Sequence, residues 1–363
     1  MANIYHITSV HQRYDTRIFK KECTSLAEKG HNVNLIVCDG LGNEIKNNVN
    51  IIDTGVSNKI GRIKRFLFLP KKIYKVLQSK KDIDFIHFHD PELIFIAKKF
   101  AKKGIKVIYD SHENLPKQVL SKPYIPTFAR KIISSVVNFI ELKAAKKFYA
   151  VVTVTDEIKN RFLKVNKNVY LLRNFSIVKS FGNVNFLEKK MKFVYSGGIT
   201  KIRGALEMAH SSNITSTEIL FFGPIEESIK DILKDFNNIK LMGSIDQDDL
   251  FQELKNSTVG LILFHKVPNH MVSSPNKMFE YMAAGMAIIA SDIPMWKEVI
   301  DTYKCGICVD PYNIDEISKA IMYMKNHPDE VFQMGKNGRE AVINHFSWEN
   351  EQNTLFLVYE EKI

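Results

Sequence analysis

The sequence predicts an α/β protein of two parallel-sheet halves, and three observations carry that prediction. Apolar runs of strand length alternate with helix-length amphipathic segments along most of the chain, the pattern of parallel sheets covered by helices. The alternation stops once, over the polar residues 176–191, and then restarts, which reads as a linker between domains. The 363 residues suffice for two domains of ordinary size.

Each element follows in order. NIYHIT (3–8) reads as a first strand, and RIFKKECTSLAEKG (17–30) as a helix that stops at Gly30. HNVNLIVCDG is the next strand, followed later by DFIHFH (84–89), a helix through 92–103, KVIYDSH (106–112), a long helix near 126–148 and AVVTVT (150–155). A short strand, VYLLRNF (169–175), closes the first half. The second half runs KFVYSGG, a helix near 203–211, EILFFG, a helix near 226–236, IKLMGSI and a helix near 246–256. VGLILF, a helix over 274–285, AIIAS and CGICVD complete it. Two Rossmann-like domains are the inference, at 1–175 and 190–345. The amphipathic C-terminal helix, 347–363, is expected to cross back onto the first.

Composition sets the class. Hydrophobic content of 45% and charged content of 25% belong to a soluble globular chain. No apolar run reaches the roughly 18 residues of a transmembrane helix, and MANIYHITSV is too short and uncharged for a signal peptide. Four cysteines are present; Cys305 and Cys308 form a Cys-x-x-Cys, but no second pair exists to complete a zinc site. CGICVD reads as a strand rather than the helix start a redox pair uses, so idle thiols in a reducing cytoplasm are expected. The net charge of +11 is uneven: residues 1–172 hold 31 Lys+Arg against 15 Asp+Glu, and the remainder 20 against 25. A basic half signals an anionic partner, membrane or nucleic acid. Its densest part, residues 58–81, carries nine Lys/Arg and no acid, interleaved with Ile, Phe, Leu and Tyr, a pattern suited to an anionic membrane surface. Arg130–Lys147 adds a second, weaker patch.

The chemistry concentrates at strand ends and helix starts. In SSPNKMFEYMAAG, Ser274 is an N-cap candidate and Pro275 fits the first helical position. Lys277 then sits at the end where the helix dipole is already positive. A phosphate docked on the free N–H groups would remove that conflict, with Asn276 beside it and Glu280, on Lys277's face, placed to accept from ribose hydroxyls. An ordinary capped helix with a surface Lys–Glu pair is the plainer alternative. YSGGITKIRG offers a second phosphate candidate: Gly197 and Gly198 let backbone approach a ligand, and Lys201 and Arg203 can neutralise a diphosphate. In the first half, HFHDPE and YDSHENLP end two strands, at the edge where doubly wound sheets bind ligands. His89 and His112 are the candidates there. Arg13 and Asp15 lie on the first strand-to-helix loop; Asp15 or Thr16 also suits an N-cap, whereas Arg13 has no evident structural reason.

Taken together, SPNKMFEYMAAGMAIIASD, YSGGITKIRG, YDSHENLP, LLRNF and the terminal FSW-E helix resemble family 4 of the GT-B glycosyltransferases, over almost the whole chain. The resemblance implies two Rossmann-like domains facing across a cleft. The C-terminal one would hold a nucleotide-diphosphate sugar, expected as a UDP-sugar, and the N-terminal one an acceptor, expected as a lipid-linked saccharide of surface-polysaccharide synthesis. It implies transfer with retention and no metal or other cofactor. Lys201 and Arg203 would stabilise the leaving diphosphate, Glu280 would hold ribose and His112 would contact the donor sugar near the reacting carbon. Arg13, Asp15 and His89 remain as acceptor contacts. Two positions depart from the family's pattern: Val272 stands where a glutamate contacts donor hydroxyls, and Gly198 where an arginine follows the loop's first glycine. Lys277 is the expected replacement cation, and the Ser273–Asn276 backbone the replacement sugar contacts. A cytoplasmic protein peripheral to the inner face of the membrane follows. Two rivals remain: a nucleotide-sugar epimerase of the same architecture, and a non-enzymatic basic binder of nucleic acid, which leaves Lys277 and Glu280 unexplained.

Overall fold

The computed structural model describes residues 1–57, 60–121 and 125–360. It divides into two units, Met1–Asn174 with Glu351–Ile363, and Phe175–Asn350.

The first unit is built on β1 (Asn3–Ile7), β2 (Asn32–Val37), β3 (Glu44–Lys46), β4 (Val49–Asp53), β5 (Phe85–Phe88), β6 (Lys106–Ser111), β7 (Ala150–Thr153) and β8 (Val169–Leu171). The sheet order is β3-β4-β2-β1-β5-β6-β7-β8, so the chain reverses direction about β1. All neighbours pair in parallel except the β3–β4 hairpin, which is antiparallel. The sequence reading lacks that hairpin. Its signal is Asn47-Asn48, both at positive φ (50° and 58°), the two-residue turn that suits strand twist and that Asn tolerates. Nearly continuous apolar strands such as β5 and β7 are buried throughout, as expected of a sheet covered on both faces.

The helix after β1 departs from the regular one expected. Thr16–Cys23 is a π-helix, continued by an α-helix over Thr24–Glu28. Wider π turns are uncommon and concentrate at functional sites. Here the segment carries Arg17 and Glu22 into the interior, where both are buried.

The second unit holds six parallel strands: β9 (Phe193–Ser196), β10 (Ile219–Phe222), β11 (Ile239–Gly243), β12 (Val259–Ile262), β13 (Ala287–Ser291) and β14 (Gly306–Val309). Their order is β11-β10-β9-β12-β13-β14, which places the switch point beside β9. The stretch expected as a linker is packed structure: Phe181 is fully buried with its ring 4.3 Å from that of Phe251. Helices over Pro294–Tyr303, Ile314–Asn326 and Pro328–His345, unassigned from sequence, cover this sheet. Cys305 and Cys308 are free thiols, both pushed up to about 12 by burial.

The C-terminal helix spans Trp348–Tyr359, and the boundary between units falls within it. Its last residue belongs to the first unit's core: the Tyr359 hydroxyl lies 2.7 Å from His87 Nδ1 and 3.2 Å from His6 Nε2.

Candidate functional site

The second unit gathers the phosphate candidates at the C-terminal end of β9. The chain leaves that strand through Gly197 at φ +124°, a conformation side-chain-bearing residues rarely adopt. A Cβ built there would fall 2.2 Å from Lys277 Cε and 2.3 Å from its Nζ. Glycine is therefore what lets the Lys277 ammonium lie against the backbone. The next residue repeats the arrangement with a second cation. A Cβ on Gly198 would lie 3.0 Å from Arg203 Nη1, and that nitrogen donates to the Gly198 carbonyl at 3.5 Å. Arg203 is steadied on its other side by the Phe264 ring, 5.4 Å from the guanidinium carbon. Lys201 is exposed, and its backbone N–H donates to Glu226 at 3.1 Å.

The Lys277 helix spans Asn276–Ala283, later than expected. Ser274 is not its cap. Pro275 is extended (φ −73°, ψ 125°) and takes the cap position, so Asn276 and Lys277 become the first and second helical residues. Among the described residues no side chain caps this start, which leaves first-turn N–H groups available to an anion. Ser274 and Asn276 are exposed and Glu280 is half-buried. Burial lowers the Lys277 pKa, Glu280 pulls it back up and Arg203 lowers it further.

Tyr281 is the residue that sequence reasoning missed. One turn beyond Lys277, its fully buried hydroxyl accepts from the Ser196 backbone N–H at 2.8 Å. That bond ties the helix to the end of β9. A Cβ on Gly260, in β12, would fall 2.2 Å from the Tyr281 ring, so that glycine is the floor on which the ring lies. The readable signal is the i, i+4 spacing from Lys277, which puts both on one helix face.

The first unit sorts its candidates differently. Asp15 is the N-cap, accepting from the N–H groups of Arg17 and Ile18 at 2.9 Å each. Burial opposes its charge, but His11 and those two N–H groups lower its pKa to about 2. Arg13 has the structural reason its sequence context did not show. It is buried, donates to both Asp39 oxygens at 2.7 Å and to Glu44 at 2.7 Å, and so ties the loop after β1 to the loop after β2. His89 is 1% exposed and packs against His6 and His87, so it lies inside the sheet layer, where no acceptor reaches it. In HFHDPE, His87, His89 and Asp90 are all buried.

His112 retains a partly exposed side chain. Its Nδ1 is buried, 3.7 Å from Asp110 Oδ2, and its ring sits edge-on to His11 at 5.3 Å. Asp110 is fully buried and receives Arg17 through two bonds, at 2.8 and 2.9 Å, and His89 Nδ1 at 3.0 Å. Burial works against this carboxylate, and Arg17 with the two histidines overcomes it, holding its pKa well below the usual range. Among the described residues, His/Cys/Asp/Glu groups close enough to share an ion occur only in this unit.

Two surfaces of the first unit expose apolar side chains beside lysines. Along the helix Thr127–Ala145, Phe128 (81% exposed), Ile132 (65%), Val136 (51%) and Phe139 (62%) form one stripe, with exposed Lys131, Lys143, Lys146 and Lys147. Phe66, Leu67 and Phe68 are at least half exposed on the helix Arg62–Gln78. Residues 58 and 59 of the basic stretch lie outside the described residues.

Comparison with known proteins agrees with this architecture. Residues 17–175 match a family described as Glycosyltransferase Family 4, and 206–356 one described as Glycosyl transferase-like. A curated relative, the MMP alpha-(1->4)-mannosyltransferase of Mycolicibacterium hassiacum, is 32% identical over 85 residues, 23% of this chain. The match spans only 21% of that relative's length. Sucrose-phosphate synthase from Thermosynechococcus elongatus superposes with a TM-score of 0.75 at 17% identity, covering 99% of this chain and 98% of that one. Anabaena HepE, solved in complex with UDP, gives 0.68 at 10% identity, covering 98% and 99%.

Proposed function

Proceeding from a chain that belongs to the family 4 type of GT-B glycosyltransferases, we propose that it moves a sugar from a nucleotide-diphosphate donor to a hydroxyl of a glycan acceptor, with retention. The observation that carries the reading is the pair of cations laid on a pair of glycines, Lys277 on Gly197 and Arg203 on Gly198. As the glycosidic bond to the donor breaks, charge builds on the departing diphosphate. Cations already in place beside an uncapped helix start stabilise that charge without reorganising. Lys201 joins them from the surface, and Glu280 accepts from the ribose hydroxyls. The Ser273–Asn276 backbone is assigned to the donor-sugar hydroxyls, and the family resemblance assigns His112, 3.7 Å from Asp110, to the donor sugar near its reacting carbon. No metal is assigned a part in this chemistry. Asp15 and Arg13 shape the loop after β1.

UDP is the donor base we assign, supported by the UDP complex of HepE. The acceptor is a lipid-linked saccharide of cell-surface polysaccharide synthesis, reached from the cytoplasmic face of the membrane. What supports that placement is the lysine-flanked stripe Phe128–Ile132–Val136–Phe139, since apolar side chains and cations together suit an anionic bilayer surface. Among the described residues no helix is long and apolar enough to cross a membrane.

A thermal-shift screen against UDP-, GDP-, dTDP- and ADP-sugars tests the donor. Stabilisation by one class is expected, and indifference to all of them overturns the reading. Incubation with the stabilising donor alone separates the epimerase, which converts the sugar without acceptor. Flotation with phosphatidylglycerol vesicles tests the surface: the wild type floats, and a Phe128→Asp, Ile132→Asp double variant stays behind. Salt-sensitive binding to DNA in place of vesicles would favour the nucleic-acid binder.

A further inference from the structure

The first unit contains a polar cluster that the transferase chemistry does not use. β1 and β5 are neighbours, with His6 opposite His87, and the two-residue strand period puts His89 on the same face as His87. The π-helix Thr16–Cys23 brings Glu22 against these three imidazoles. His6, Glu22 and His87 are 0% exposed and His89 is 1%. Glu22 Oε2 lies 3.8 Å from His6 Nδ1, 3.8 Å from His87 Nδ1 and 4.0 Å from His89 Nε2, and His6 Nδ1 is 3.0 Å from His89 Nε2. Ligand atoms of all four groups fall within 4.8 Å of one another.

We propose that His6, His87, His89 and Glu22 bind a structural divalent cation, zinc by the chemistry of the donors. Tetrahedral coordination at about 2.1 Å separates ligand atoms by about 3.4 Å, so the His6–His89 pair at 3.0 Å opens and the Glu22 contacts at 3.8–4.0 Å close when an ion enters. Two of the three imidazoles carry the outer group such sites require, whereas His87 Nδ1, the atom facing Glu22, lies 2.7 Å from the Tyr359 hydroxyl, which the ion would displace. Asp110 takes His89 Nδ1 at 3.0 Å, which leaves Nε2 for the ion, and the Tyr359 hydroxyl takes His6 Nε2 at 3.2 Å, which leaves Nδ1. Arg17 Nε, whose proton goes to Asp110 Oδ2, lies 3.1 Å from Glu22 Oε1 as an ion pair without a hydrogen bond. A second observation points the same way: among the described residues neither oxygen of this fully buried carboxylate has a hydrogen-bond partner. Buried carboxylates without hydrogen bonds are costly, and an ion satisfies this one. Three imidazoles and a carboxylate suit zinc better than calcium or magnesium. Four protein ligands close the coordination sphere, so the role is structural. Through Asp110 the ion also fixes the floor beneath His112.

The test uses untagged full-length protein purified without metal-affinity resin from zinc-supplemented cells. Elemental analysis is expected to find about one zinc per chain after desalting, and cobalt-grown protein to show the visible absorption of a tetrahedral cobalt centre. Glu22→Gln and His6→Gln should each lose the metal, whereas His345→Gln, outside the cluster, keeps it. If the cluster variants fail to fold, the wild type decides: a chelator such as dipicolinate should lower its Tm, and added zinc should restore it. Wild-type protein that carries no metal, with a Tm indifferent to chelator and zinc, overturns the proposal. So does zinc retained in both Glu22→Gln and His6→Gln.

Discussion

Replacing Lys277 with methionine separates binding from folding. Methionine keeps the length and apolar stem of lysine and removes only the charge. The ammonium lies against Gly197, so a diphosphate seated on that backbone meets the charge at contact distance. Two unit charges about 4 Å apart at an effective dielectric of about 20 attract by about 4 kcal/mol. After desolvation, hydrogen bonds to charged groups retain about 1.5–3 kcal/mol. At about 1.4 kcal/mol per tenfold, the Kd for the nucleoside diphosphate should rise about ten- to a hundredfold. Stability should move the other way, because burial opposes this cation and Arg203 repels it. The unliganded variant should melt no lower than wild type. Titration calorimetry with the nucleotide chosen by the donor screen gives the first number and a thermal melt the second. A Kd within about threefold of wild type refutes the clamp. So does a variant that loses affinity only by unfolding. The same lowered pKa predicts that wild-type affinity falls at a lower pH, on the alkaline side, than an ordinary lysine would produce, and that Lys277→Arg removes this fall.

Three further outcomes are expected. Gly197→Ala combines positive-φ strain, about 1–3 kcal/mol, with displacement of the Lys277 ammonium; calorimetry should show its nucleotide affinity near that of Lys277→Met, with little added loss in the double variant. Tyr281→Phe leaves the buried Ser196 N–H without its acceptor and should cost about 1–3 kcal/mol in urea melts. Lys189, buried with its ammonium on the Ser257 carbonyl at 2.6 Å, is pushed down to about 7 by burial and by Arg339. The unfolded chain keeps that proton to about pH 10.4. Stability contributed by this site therefore rises with pH between about 7 and 10, at up to about 1.4 kcal/mol per unit, and Lys189→Met should remove that slope in melts at pH 7 and 9.

The proximity of the two candidate phosphate segments was legible because the signals in each are local. A lysine at the positive end of a helix and a glycine pair after a strand are anomalies within a few residues, and the structure brings them into contact. Arg13 and His89 were not legible because their partners are remote. Arg13 meets Asp39 and Glu44 across 26 and 31 residues, and Arg17 meets Asp110 across 93. Polar residues whose partners are distant look exposed in sequence and are buried in the fold. The hairpin Glu44–Asp53 shows the same limit from the other side: Asn47-Asn48 carries a turn signal, but three-residue β3 is too short to declare a strand. Strand and helix order survived because apolar periodicity is dictated by burial along each element.

Tyr359 gives the chain a constraint of timing. Its hydroxyl completes contacts with His87 and His6, residues made 272 and 353 positions earlier. N-terminal domains generally fold first as a chain emerges from the ribosome. Here the innermost histidines of the first half lack this neighbour until Tyr359 itself has been synthesised. The second unit, Phe175–Asn350, is made without interruption and can fold as it emerges. Nascent chains stalled before residue 351 should therefore protect the second half from protease sooner than the first, an inverted order of maturation.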